Sequence, residues 1–114
     1  MLLSVNENNF QQEVLEVPGP VLIDFWAPWC GICYWVHPIL NQLQIQKYPQ
    51  IKMVSINADN NLRLANTYRL ATLPTLLILD QGQVCHRIEG FYDRDNLDAL
   101  LQHIMETSLM PSMV

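Results

Sequence analysis

Positive charge is scarce in this chain. Lysine and arginine together number 6 against 11 acidic residues, for a net charge of −5. Binding to a nucleic-acid backbone needs a basic face, so nucleic acid is excluded as the main partner. Long apolar runs are also missing: none approaches the roughly 18 residues of a membrane span. The start, Met1 to Glu7, lacks the basic residues and apolar stretch of a secretion signal. Cysteine occurs 3 times, too few for a disulfide scaffold. Charged residues make up only 15%, yet half the residues are hydrophobic, so the chain is globular rather than disordered. Its length suits one domain that can bury a core without staples.

The scarcity of charge is local as well. From Val17 to Gln46 the one formally charged side chain is Asp24. Most of that stretch is expected to be core, with the remainder an uncharged aromatic rim. Within it, Val21 to Trp26 reads as a buried strand, followed by a Pro28 turn and the pair Cys30-Gly31-Ile32-Cys33. Val36, Leu40, Leu43 and Ile45 then follow at helical spacing towards Lys47, with Pro38 inside the helix. A Cys-x-x-Cys where a strand hands over to a helix places sulfur beside spare backbone N–H groups, which favour a thiolate. The two-residue spacer lets the second sulfur attack whatever the first has bonded to. A disulfide across so short a loop would stabilise the fold by only about 2 kcal/mol, so its value lies in its chemistry. A reducing, cytoplasm-like compartment is expected.

The remaining elements follow in order. Leu2 to Val5 suggests a short strand. Asn6 caps a helix to about Glu16 that buries Phe10, Val14 and Leu15. Ile51 to Asn57 is a second central strand, and a helix over 60–68 is opened by Asp59 or Asn60. Leu73-Pro74 enters a strand, Thr75 to Leu79. Asp80-Gln-Gly-Gln83 forms a hairpin turn into Val84 to Ile88. Asp93 or Asp95 caps a last helix with Leu97, Leu100, Leu101 and Ile104 as its buried stripe. The order predicts an α/β layered sheet with helices on both faces, one domain over residues 1–107 and a frayed tail over 108–114. Cys85 is read as a half-buried strand thiol and His37 as a solvent-facing helix residue. Of the adjacent Tyr34 and Trp35, one must be exposed.

These residues resemble the thioredoxin family over nearly the whole chain, from about Leu3 to Ile104. The resemblance is carried by Val21-Leu-Ile-Asp-Phe-Trp-Ala-Pro-Trp-Cys-Gly-Ile-Cys33, by Pro38, by Leu73-Pro74-Thr75-Leu76-Leu77 and by Gln81-Gly82. It implies a mixed sheet of about five strands flanked by about four helices, and a reductase of protein disulfides with no bound cofactor. Cys30 would be the exposed nucleophile and Cys33 the buried resolving thiol, with Asp24 exchanging protons behind it. Pro74 would be cis. Trp29, Gly31, Ile32, Leu73, Pro74, Gly90 and Phe91 would form the client-docking surface. Clients with disulfides and an unidentified reductase or other electron donor are the expected partners, and the protein is expected to be a monomer.

The chain also departs from that pattern. The usual Gly-Pro spacer is Gly31-Ile32, and the Lys that commonly neighbours the buried Asp matches Ser55. Ile32 restores an N–H that proline lacks, which is expected to reach the Cys30 sulfur. Asp24 is left without an identified cation, so burial should raise its pKa. The same residues admit two other readings. A structural zinc would need four ligands, and beyond the pair only Cys85, His37, His86 and His103 remain; covalent haem would need histidine where Tyr34 stands. A thioredoxin-like binding module or adaptor, with incidental redox activity, is the alternative function; the intact cysteine pair, Asp24 and Pro74 weigh against it.

Overall fold

A computed structural model describes residues 2–91 and 93–108. The alternation of side chains in Val21 to Trp26 places Val21, Ile23 and Phe25 on one face and Leu22, Asp24 and Trp26 on the other. Both faces are covered, which is why the strand reads as nearly continuous apolar sequence. It is β2 (Pro20–Trp26), at the centre of a five-stranded sheet with β1 (Leu3–Ser4), β3 (Lys52–Asn57), β4 (Thr75–Asp80) and β5 (Gln83–Ile88). The order is β1-β3-β2-β4-β5. β1, β3 and β2 run parallel, and β4 and β5 antiparallel to their neighbours.

Two apolar layers sandwich the sheet. On one face, helices α1 (Cys33–Gln46) and α3 (Arg94–Ser108) bury Val36, Leu40, Leu97 and Leu101 against Leu22, Leu76 and Ile78. On the other, a short helical turn (Gln11–Leu15) and α2 (Leu62–Thr67) bring Phe10, Val14 and Leu64 against Ile23, Phe25 and Leu77. Each fully buried Leu, Ile or Phe contributes about 1.5–3 kcal/mol, so these layers hold the sheet. No helix among the described residues is long and apolar enough to cross a membrane.

Asn6 does cap the first turn, its Oδ1 accepting from the N–H groups of Asn8 and Asn9. That turn is short and wide, closed by the Glu16 N–H on the Gln11 carbonyl, and Leu15 is left exposed. Ile45 is exposed too: two residues past buried Leu43 it lies across the helix. Of the α3 stripe, Leu97 and Leu101 are buried and Leu100 is exposed. Asp93 caps that helix, accepting from the Asn96 N–H at 2.8 Å.

The start of α2 differs from expectation. Asn57, not Asp59 or Asn60, caps a turn over Ala58–Asn60. The Leu64 N–H of α2 is then satisfied by the Glu7 carboxylate, 57 positions away in sequence. At the other end Arg69, at φ +52°, closes the helix as glycine commonly does, with the Leu70 N–H on the Ala65 carbonyl. Arg87 of β5 donates to the Tyr68 and Arg69 carbonyls at 2.6 Å each, tying down the segment that leads to Pro74. Gln81 and Gly82, both with positive φ, make the two-residue hairpin turn. Cys85 is exposed rather than half-buried, because β5 is an edge strand with most of its side chains in solvent. The tail expected over 108–114 lies, beyond residue 108, outside the described residues.

Candidate active site

β2 ends at Trp26, and the chain turns through Ala27, Pro28 and Trp29 into Cys30. The Cys30 N–H closes this turn on the Ala27 carbonyl at 3.1 Å. α1 begins at Cys33, and Cys30 and Cys33 form a disulfide with Cα atoms 5.4 Å apart. The pair therefore sits at the amino end of a 14-residue helix, where free N–H groups favour negative charge. One of those groups is aimed at the sulfur: the Cys33 N–H donates to Cys30 Sγ at 3.3 Å. The expected donor was Ile32, but Ile32 stands at the cap position of α1 and the N–H that reaches the sulfur is one residue further on. Cys30 is 5% exposed, not the open sulfur the resemblance implied. In this oxidised form it is bonded to Cys33, itself buried, against the start of the helix.

Asp24 is fully buried, in register with Ser55 of β3 and Leu76 of β4. It points to the α1 face of the sheet. His37, one helical turn after Cys33, meets it there: His37 Nδ1 lies 3.4 Å from Asp24 Oδ2. This corrects the expectations for both residues, since His37 is not simply solvent-facing and Asp24 does have a basic neighbour. The contact is long for a hydrogen bond, and neither carboxylate oxygen has a well-formed hydrogen bond among the described residues. Burial pushes the Asp24 carboxyl above the ordinary carboxylate range, and the imidazole offsets this only in part. Beside the pair a cleft of about 310 Å³ is lined by Trp26, Cys33, Tyr34, His37, Pro38 and Ser55. It connects the second cysteine with the histidine.

The surface around the cysteines is apolar and open. Trp29, Ile32 and Tyr34 are exposed, Trp29 by 69%. Trp29 is nevertheless held: its indole N–H donates to Asp59 Oδ2 at 3.0 Å. Tyr34 is fixed by its hydroxyl on the Pro28 carbonyl at 2.9 Å and by its ring edge against Trp26, while Trp35 packs into the core. The Leu73–Pro74 peptide bond is cis. Pro74 itself is buried, Leu73 half-buried, and Gly31 and Gly90 exposed. Gly90 adopts φ +74°, a conformation that favours glycine at the bend after β5. Phe91 is a correction. It is buried with its ring edge on Trp35 and belongs to the core beneath the surface rather than to the surface.

Sequence reasoning missed three residues that shape this site: His37 as neighbour of Asp24, Asp59 as anchor of Trp29, and Tyr34 as a strut to Pro28. For His37 a signal existed. It stands four residues after Cys33, which puts the two on one side of a helix, and that side must face the strand bearing Asp24. Asp59 had none, being 30 positions from Trp29.

Comparison with known proteins agrees with this geometry. A sequence model of the thioredoxin family matches residues 1–103. Thioredoxin 1 of Nostoc sp. is 39% identical over 98 residues, covering 86% of this chain and 92% of that protein. Thioredoxin 1 of Synechococcus elongatus is 40% identical over 94 residues, with 82% and 88% covered. A thioredoxin-like protein of Synechocystis sp. is also 40% identical over 94 residues, with 82% and 90% covered. With the mixed sheet, the flanking helices and the Cys30–Cys33 disulfide at a helix start, these matches establish that the chain belongs to the thioredoxin family and is a thiol–disulfide oxidoreductase that reduces protein disulfides.

Proposed function

We propose that Cys30 is the nucleophile, Cys33 the resolving thiol and Asp24 the acceptor of the Cys33 proton. The Cys30 thiolate attacks one client sulfur; the client S–S bond breaks and a Cys30–client bond forms. Cys33 then loses its proton to Asp24 and attacks the Cys30 sulfur. The mixed bond breaks, the Cys30–Cys33 bond forms and the client sulfur that Cys30 had attacked leaves, the other having been released in the first step. The client gains two electrons and the cysteine pair loses two, so no bound cofactor is needed. The observation that carries this reading is the Cys33 N–H directed at Cys30 Sγ at the amino end of α1, which favours Cys30 as the thiolate.

The docking surface in this reading is Trp29, Gly31, Ile32, Leu73 and Gly90, with the buried Pro74 and Phe91 supporting it from below. Its exposed aromatic and aliphatic side chains suit an apolar client segment. A single domain over residues 1–107, acting as a monomer in a cytoplasmic compartment with a separate electron donor, completes the proposal. Dithiothreitol-driven reduction of insulin tests it. Wild type should accelerate precipitation of the insulin chains, and the Cys30→Ser variant should not. Equal rates for the two would overturn the assignment.

A further inference from the structure

Asp24 can accept a proton only if it can pass it on, and as a fully buried carboxylate it has no direct route to water. Its partner across the strand register, Ser55, is uncharged and is no strong base. The imidazole of His37 has what is missing. Its Nδ1 faces Asp24 Oδ2 at 3.4 Å, and its side chain is 38% exposed while the carboxylate is 0% exposed. It also lines the same cleft as Cys33.

Resting on the assignment of Asp24 above, we propose that His37 is the proton relay between the buried Asp24 and solvent during resolution of the mixed disulfide. The Cys33 thiol gives its proton to the Asp24 carboxylate as its sulfur attacks Cys30. Neutral His37 takes that proton at Nδ1 and releases one from Nε2 to water, leaving the other tautomer, which resets by exchange. A neutral imidazole accepts at one ring nitrogen and donates from the other, which suits such a step. The ionisable groups facing it are Asp24 from β2 and Cys33 and Tyr34 from α1; β3 contributes only Ser55, and no Lys or Arg lines the cleft. His37 acts through Asp24, so it is a positioning and proton-relay residue rather than one that touches the client.

The test is stopped-flow reaction of the reduced protein with sub-stoichiometric Ellman's disulfide, with Cys85 replaced by Ala throughout. The first release of chromophore reports attack by Cys30, and the second reports attack by Cys33. In His37→Ala the second phase should slow about tenfold near neutral pH, with its pH profile changed and the first phase intact. Free imidazole should restore it in His37→Ala. In His37→Gln, which fills the space but has no basic nitrogen to take up a proton, the second phase should be slow and imidazole should not help. Asp24→Asn should slow the same phase without rescue. If Asp24→Asn slows it and neither His37 variant does, the relay falls while the role of Asp24 stands. If none of the variants slows it, both assignments fall. Equal slowing of both phases in His37→Ala, unrescued, would mark a damaged site and would also overturn the relay.

Discussion

His37 Nδ1 lies 3.4 Å from Oδ2 of a fully buried Asp24, and the two come from different elements of the fold, α1 and β2. The pair joins the interior of the sheet to the cleft beside Cys33. Its energetics are asymmetric. The carboxylate has lost all contact with water, the imidazole only part, and their contact is too long to replace what the carboxylate gave up.

The first prediction concerns stability and pH. Burial raises the folded-state pKa of Asp24 above the unfolded value of about 3.9. Its contribution is therefore fully present below that unfolded value and is lost as pH rises through the folded one. Asp24→Asn should match wild type at about pH 3, below the unfolded value, where the carboxyl is mostly neutral folded and unfolded, and be more stable at about pH 8, by roughly 1–3 kcal/mol. Urea denaturation at the two pH values measures this. Equal stability at the higher pH would mean that His37 offsets the burial cost completely.

A second prediction separates the cysteines. Cys33→Ser should accumulate mixed disulfides with clients, because nothing remains to break them, and Cys30→Ser should trap few. Cys85 is exposed and can be oxidised unselectively, so both variants need Cys85→Ala as background. Comparable trapping through both positions, read by non-reducing electrophoresis, would reverse the assignment.

Ile32→Pro is the third. Ile32 has φ −63°, which proline adopts without strain, and Gly31 before it is permissive. The donor on the Cys30 sulfur is the Cys33 N–H, which this substitution leaves in place. The two-electron potential should therefore move by less than about 30 mV, equivalent to about 1.4 kcal/mol. Unfolding should be unchanged or harder by about 0.4–1 kcal/mol. Equilibration against glutathione measures the potential, and a larger shift would show that the Ile32 N–H itself reaches the sulfur.

Salt provides the fourth. The exposed rim formed by Trp29, Ile32 and Tyr34 carries no Lys or Arg, and none occurs from Val17 to Gln46. Turnover with a thioredoxin reductase should change by less than about twofold between low and moderate ionic strength, because the rim offers no cation and the Asp59 carboxylate beside it already accepts from the Trp29 indole N–H. A steep loss of rate with salt would place the contact on other, charged parts of the surface.

The sequence by itself determined the framework. Unbroken apolar strands, the Cys30-Gly31-Ile32-Cys33 pair at a strand-to-helix junction, the Leu73-Pro74 entry to β4 and the Gln81-Gly82 turn are local patterns. Local patterns survive being read one residue after another, because backbone geometry and side-chain periodicity act over a few positions. Tertiary structure decided what depends on two elements meeting. Packing α1 on β2 brings His37 to Asp24, 13 positions apart. The carboxylate of Glu7 reaches across to the first turn of α2, where nearby Asp59 and Asn60 had been expected. Phe91 packs its ring edge on Trp35 in the core, whereas the family resemblance implied the rim. Such outcomes depend on distances between segments that share no local sequence, and packing of the two layers against the sheet sets those distances.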